Sequence, residues 1–564
     1  ALSALVARLL AKDPGERPQS AHQVRQALDE LGAAPAQPQR DRRLSMFIAV
    51  AAILVLAVIA TIVTRSRAID GNHAAGGAGE VHTVAVLPFG NVGGGPNDEY
   101  FSDGLTDELA NALSRIPGLR LPGRTSTYAL KGKSVAAREI GRTLEVAAYV
   151  GGTVRRAGDR LRVSTQLVST VDGKVLWDSV FETHSGDVFA VQDSLTRAVV
   201  ASLTPRLGLR ASPGTGRGGT VVVDVKRGTA DEAAYELYLK GKYYWHERGA
   251  DNVKRSIDYF QQAIARDPTF ARAYAALSFA YGTLGVYVPD PTDSAKSLLK
   301  AAATRAITLD STISDVQLAV ADAFARDFRF SEAEAHYRAA VRIDPLNQFA
   351  HHTFGGMLLE TGRSNEAIAE LTLATHLDPL AKSAGTLFAE ALIDARRFRD
   401  AEAEARRVLA IDSVFVLSLN SLGLAQALAG HADSAVATLE HGVQAYPDFI
   451  HLKARLIFAY AAAGRWSDVE RMRAQLRQPG ADRTGGLVAG FADFVLGDHE
   501  PLLRLLATPD GLRRWFTLLR GSVCNPLNDP LWSDERFRAG MKTLGLSPCP
   551  LARPWPLPPR QRTP

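Results

Sequence analysis

Ala333 to Leu380 read AEAHYRAAVRIDPLNQFAHHTFGGMLLETGRSNEAIAELTLATHLDPL, with two Asp-Pro steps, Asp344-Pro345 and Asp378-Pro379, 34 residues apart. Proline cannot continue a helix, so each step ends one. Working outward, Leu309-Asp310, Ile411-Asp412 and Tyr446-Pro447 fall in the same phase. Ala333, Ala367, Ala401 and Ala435 share one position of this period, where a small side chain lets two helices approach closely. Gly362, Gly430 and Gly464 mark a tight turn between helices, because glycine accepts positive φ. An earlier unit ends at Asp267-Pro268, 43 residues before Asp310, which predicts a 9-residue insertion near GVYVPDPT. Each unit leaves an apolar side that only its neighbour can cover, and the expected product is a curved solenoid with a concave groove.

Period and signature together resemble tetratricopeptide repeats, six to seven of them over residues 232–478. Ala333, Ala367, Ala401, Ala435, Pro345, Pro379 and Pro447 carry the likeness. It implies an all-α solenoid whose groove holds a protein or peptide ligand.

At 564 residues the chain is too long for one core and should divide into several units. A composition of 46% hydrophobic and 22% charged residues is ordinary globular material, and +5 from 65 basic and 60 acidic side chains is nearly balanced. No basic stripe interleaved with aromatics tracks a phosphate backbone, so no nucleic-acid partner is expected.

Leu44 to Thr64, LSMFIAVAAILVLAVIATIVT, is uncharged for 21 residues, enough for a helix to cross a hydrocarbon core of about 30 Å. This predicts one transmembrane helix, 44–64, between Pro- and Gly-rich linkers at 33–43 and 65–80. Arg40, Arg42 and Arg43 outnumber Arg65 and Arg67, which favours a cytoplasmic amino terminus.

Residues 81–205 alternate strand and helix signals. HTVAVLPF reads as a strand, SDGLTDELANALSRI as a helix capped by Ser102, Asp103 and Thr106, LRLPGRTST as a second short strand and AAREIGRTLEV as a second helix. A three-stranded meander with turns at AGD and VDG follows, then a last helix, DVFAVQDSLTRAVVASL. VAVLPF, YFSDGLTDELANALSRI, RTST, AREIG and GGTVRRAGDRLRVSTQLV resemble the TolB-like amino-terminal domain. That likeness implies a small α/β fold with a mixed sheet and transfers no catalytic residue. Asp103, Asp107 and Glu108 sit in early helical turns, where acids complement the dipole.

ALSALVARLLAKDPGERPQSAHQVRQALDEL, residues 1–32 in the main, resembles the last subdomain of a serine/threonine protein kinase; Lys12, Asp13, Pro14, Arg17 and Pro18 match residue by residue. The resemblance gives Arg17 a structural role. The glycine-rich loop, strand lysine, HRD and DFG that hold ATP and magnesium are missing, so no catalytic or cofactor residue is assigned and truncation of a longer protein is expected. The resulting expectation is the membrane-anchored sensor portion of a bacterial receptor kinase. It places residues 1–43 in the cytoplasm and 65–564 in the periplasm or outside the cell. The alternative is a membrane-tethered tetratricopeptide scaffold with a kinase relic.

Other chemistry is weaker. GTGRGG, 214–219, lacks the strand before and helix after that a phosphate loop needs, and falls in a linker at 206–231. His351, His352, His431 and His441 have no zinc spacing and are expected on helix surfaces. Cys524 and Cys549 lie in a carboxy-terminal helical cap and Pro-rich tail, 479–564, either bridged or free.

Overall fold

The computed structural model describes residues 83–558 apart from 94–97, 117, 159, 185–187, 206–226, 288–293, 478–482, 519–521, 554 and 556. The chain divides into two compact units, 1–79 and 80–564, and the description below concerns the second. Lys12, Asp13, Pro14, Arg17 and Pro18, and the apolar stretch 44–64, lie outside the described residues.

The described chain is mostly helical with one small sheet, which corrects the expected fold class in its membrane part. Among the described residues no helix is long and apolar enough to cross a membrane. Within the described residues the single-pass inner-membrane localisation built on that span is corrected with it, because none of their helices supplies a span. The described helices are short because a Pro, Gly or turn residue interrupts each one, and their apolar residues pack against neighbouring helices of the same chain.

The sheet begins with β1 (Val84–Val86) and β2 (Gly90–Asn91), both parallel to the same side of β3 (Ala148–Ala157). β4 (Arg160–Ser169) and β5 (Val175–His184) continue as an antiparallel meander. Alternation along β4 turns Leu161, Val163 and Leu167 inward, the period-2 signature of a half-covered sheet. Helices α1 (Glu99–Leu113), α2 (Arg124–Tyr128), α3 (Ala137–Leu144) and α4 (Val188–Leu203) complete this region.

Two local readings change. Helix α1 starts at Glu99, so Ser102, Asp103 and Thr106 are buried inside it and cap nothing at its start. Thr106 Oγ1 donates to Ser102 O at 2.8 Å and accepts the Phe89 amide at 3.0 Å, tying the segment between β1 and β2 to the helix. LRLPGRTST forms only an isolated Thr83–Arg120 bridge and then helix α2, whose first amides are capped from the solenoid.

Seven antiparallel helix pairs follow: α5 (Glu232–Glu247) with α6 (Ala250–Arg266), α7 (Ala271–Tyr287) with α8 (Ser294–Leu309), and α9 (Ser314–Ala325) with α10 (Phe330–Ile343). Next come α11 (Gln348–Glu360) with α12 (Ser364–Leu377), α13 (Lys382–Asp394) with α14 (Phe398–Ile411), α15 (Val416–Leu428) with α16 (Ala432–Ala445), and α17 (Ile450–Ala462) with α18 (Trp466–Leu476). This is a tetratricopeptide-type solenoid. Ala333, Ala367, Ala401 and Ala435 are fully buried. Helix α7 has 17 residues against 13 in α11 and α8 has 16 against 14 in α12, so most of the insertion lengthens the two helices of this pair.

The turn within each of the last five pairs holds a left-handed residue, and the register shows what fills it. Gly362, Gly430 and Gly464 have φ of 76°, 88° and 70°; at the same position Phe328 and Arg396 have 61° and 63°. A side chain there is strained by about 1–2 kcal/mol. Both strained residues touch the carboxy-terminal region. Arg396 Nη2 binds both Asp529 oxygens at 2.6 and 2.8 Å, Nη1 donates to Cys524 O at 2.7 Å, and the Phe328 ring packs on Phe516 at 6.1 Å.

That region comprises α19 (Arg483–Val495), α20 (Glu500–Leu506), α21 (Pro509–Leu518), a 3-10 helix (Pro526–Ser533) and α22 (Glu535–Thr543). Cys524 and Cys549 are bridged, closing a loop of 25 residues. Trp555 beyond it packs on Phe458, Phe491 and Phe494.

Candidate functional site

The first helices of successive pairs touch one another and so line the inner face of the solenoid. Trp245, Phe279, Asp322, Gly356, Glu390, Leu424 and Phe458 occupy one register of those seven helices, at intervals of 34 residues with a single 43.

Towards the carboxy-terminal end this face is filled. Arg455 of α17 reaches across α15 to Glu390 of α13 at 3.1 Å, and both side chains are buried. Ser421 Oγ donates to the same carboxylate at 2.5 Å. Beside it Asp394 is fully buried and accepts from Ser522 Oγ. Burial pushes its carboxyl up to about 8, and nearby Glu390 adds to the shift. Phe458 is covered by Trp555, so the chain's own carboxy-terminal residues occupy this stretch.

Towards the amino-terminal end the face is open. A cleft of about 350 Å³ lies between α5, α7, α9 and α11. Its floor is an aromatic cluster: Phe349 meets Phe279 edge-to-face at 5.6 Å and Trp245 edge-to-face at 6.4 Å, while Trp245 and Phe279 lie tilted at 6.4 Å. Such faces accept apolar side chains. Trp245 is held by its indole N–H, which donates to Thr283 Oγ1 at 2.9 Å. At one wall Arg326 Nε binds Asp322 at 2.7 Å. Behind it burial, reinforced by Asp322, pushes the Glu360 carboxyl up to about 8. At the mouth the Arg248 guanidinium lies 4.3 Å above the Trp245 ring.

A second cleft, about 610 Å³, lies at the seam between the end of α1 and the loops of the repeats, lined by Asn111, Arg115, Arg272 and Asp344 among others. Arg272 there is committed to Glu108 at 2.7 Å, both buried. The seam therefore serves the joint between the α/β domain and the solenoid, and the aromatic cleft is the candidate site.

The groove anticipated from the repeats is thus open at one end only. Asp103, Asp107 and Glu108, expected to complement a helix dipole, instead make ion pairs with Lys131 at 2.7 Å, Arg124 at 3.0 Å and Arg272. His351, expected on a helix surface, is buried between Glu370 at 2.6 Å and Pro345 O at 2.9 Å. Pro345 and Pro379 follow helix-ending Asp344 and Asp378, and Pro447 follows Tyr446, away from the cleft. Trp245, Phe279 and Phe349 were not singled out in the sequence. Extending the 34-residue register to the inner helix positions, with the 43-residue step, would have found the first two.

No family model matches the chain. A Rhizobium meliloti (strain 1021) protein named "Putative adenylate cyclase 3" is 33% identical over 196 residues, 35% of this chain and 32% of that protein. The chain therefore spans about a third of the length of the curated relative it matches. Three solved structures are similar over part of the chain. YrrB, a TPR protein with an unusual peptide-binding site, is 17% identical, with 34% of this chain and 93% of YrrB covered and a TM-score of 0.27. Pseudomonas aeruginosa pilF is 18% identical, with 39% and 94% covered and a TM-score of 0.32. A tetratricopeptide repeat protein from Parabacteroides merdae ATCC 43184 is 12% identical, with 55% and 100% covered and a TM-score of 0.33. At these scores the repeat assignment rests on the chain's own helix pairs and register.

Proposed function

We propose that the chain is the protein-docking portion of a multidomain bacterial signalling enzyme, and that the aromatic cleft on the inner face of the solenoid receives an extended segment of a partner polypeptide. The observation that carries this reading is the contrast along one surface. Where the inner face is covered, the chain's own carboxy-terminal residues lie on its aromatics, with Trp555 on Phe458; where it is open, Trp245, Phe279 and Phe349 present the same kind of surface. Aromatic and apolar pockets of this size are typical of recognition sites.

For the catalytic neighbour, the Lys12-Asp13-Pro14 and Arg17-Pro18 match supports a serine/threonine kinase, which would supply ATP and magnesium binding. The Rhizobium meliloti relative supports a second reading, an adenylate cyclase. Reading the gene on the amino-terminal side of Ala1 separates them: in-frame HRD and DFG codons favour the kinase, and a cyclase domain displaces it.

The docking reading is tested by selecting random twelve-residue displayed peptides on the full chain, then measuring each against a W245A/F349A double variant. Peptides that lose tenfold or more in affinity are expected. A pool insensitive to the double variant, or no pool, would overturn the reading.

A further inference from the structure

Among the described residues of the solenoid, three non-glycine residues sit at positive φ: Arg248, Phe328 and Arg396. The latter two grip the chain's own carboxy-terminal region, Arg396 through the carboxylate of Asp529 and the carbonyl of Cys524, Phe328 through Phe516. Arg248 has φ 56° and ψ 178°, a region that is essentially glycine's own and costs a side chain about 1–3 kcal/mol. Glycine stands next to it at 249, so a relaxed turn was within reach of the sequence. Yet Arg248 grips no other segment of the chain: its guanidinium lies on Trp245, and among the described residues no carboxylate is within ion-pair distance.

We infer that the cleft selects an acidic segment of its partner protein, one carboxylate side chain seating on the Arg248 guanidinium while a neighbouring apolar or aromatic side chain enters between Trp245, Phe279 and Phe349. The chain supplies its own precedent, since the segment held by Arg396 turns at Val523–Cys524 and enters a 3-10 helix that carries Asp529 among Pro526, Leu527 and Leu531. Charge around the cleft agrees. Asp322 neutralises Arg326 at 2.7 Å, Glu360 is held protonated near neutral pH, and among the described residues Arg248 remains as the charge without a carboxylate partner. An arginine at this point offers a planar fork that matches a carboxylate in two hydrogen bonds.

The inference rests on the docking reading, and the experiment separates the two. The same displayed-peptide selection is scored for composition, and selected peptides are resynthesised with every Asp and Glu replaced by Asn and Gln. Enrichment of acidic over basic residues is expected, with at least tenfold weaker binding of the amide versions and a Kd that rises between 50 and 500 mM salt. The R248G variant should weaken the acidic peptides tenfold or more without lowering Tm, because it relaxes a strained turn; R248K should fall between. A neutral or basic pool that still depends on Trp245 and Phe349, or amide peptides that bind equally well, would overturn the acidic preference and leave the docking reading standing. A pool that ignores both Trp245 and Arg248 removes both.

Discussion

Asp378 ends a helix of the solenoid and caps another helix 252 residues away: its Oδ1 accepts the Ser126 amide at 2.8 Å and its Oδ2 the Thr125 amide at 3.1 Å. Ser126 Oγ also donates to this carboxylate while accepting the Leu380 amide at 2.9 Å. Gly123 makes the approach feasible. Its amide donates to Leu377 O at 2.7 Å, and a Cβ there would lie 2.6 Å from the Asp378 side chain. Helix α2 has no cap of its own, so the solenoid is its N-terminus.

Replacing Asp378 with Ala should therefore loosen the α/β domain as well as the repeat. Buried donors left unpaired cost about 1–3 kcal/mol, and several are exposed at once. D412A is the control, since Asp412 holds the same repeat position but pairs only with Lys382 and a nearby amide. Urea unfolding of both variants checks this. Equal midpoints would show that the junction contributes nothing.

The same junction shows what was legible in the sequence. The solenoid was, because a 34-residue period repeats its helix stops and small residues. Helix α2 was not: RTST is short and β-branched, and what makes it helical is a carboxylate 252 positions away. Arg396 and Phe328 were hidden for a related reason. They occupy a glycine register without being glycine, and the contacts that hold them there come from beyond residue 512.

Glu108 and Arg272 form the second link of the junction, side chains 3% and 8% exposed and 2.7 Å apart. Removing one partner strands a buried charge, a loss of about 3–5 kcal/mol, whereas replacing both by apolar groups of similar volume is often neutral. E108Q and R272M should each destabilise strongly, and E108L/R272M should recover most of the loss. Additive losses in the double variant would contradict the pairing. Because Arg272 and Lys242 hold the Glu108 carboxyl below its usual range despite burial, its contribution is present above the unfolded pKa and is lost as pH falls through the depressed folded value.

The strained turn at Arg396 separates backbone strain from contact energy. At Gly430 a Cβ would meet nothing within 4 Å and φ is 88°, so G430A should lose about 1–2 kcal/mol from the backbone alone. R396G relaxes the backbone by a similar amount, yet it strands the Asp529 carboxylate, which is 5% exposed. A net loss is expected for R396G, partly restored by D529N. If R396G instead stabilises the chain, the grip on the carboxy-terminal region is not what retains the arginine.

Asp394 gives the alkaline side of the stability profile. It is fully buried, faces Glu390, Arg396, Arg455 and Ser522, and its Oδ1 has no hydrogen-bond partner among the described residues. Burial raises its carboxyl to about 8 in the folded chain against about 4 when unfolded. The folded state therefore keeps a proton that the unfolded state releases. Stability from this group is complete below about pH 4 and is lost progressively as pH rises through the folded value. Asparagine cannot ionise, so D394N should match the native chain near pH 4, exceed it already at pH 5, and exceed it by a widening margin up to about pH 8. Glu360, also raised to about 8, leaves a residual slope that E360Q should remove in the double variant. Urea midpoints at pH 5, 7 and 9 measure this. Parallel pH profiles for the native chain and D394N would mean that Asp394 is ionised in the folded state and that the Ser522 contact is made to a carboxylate.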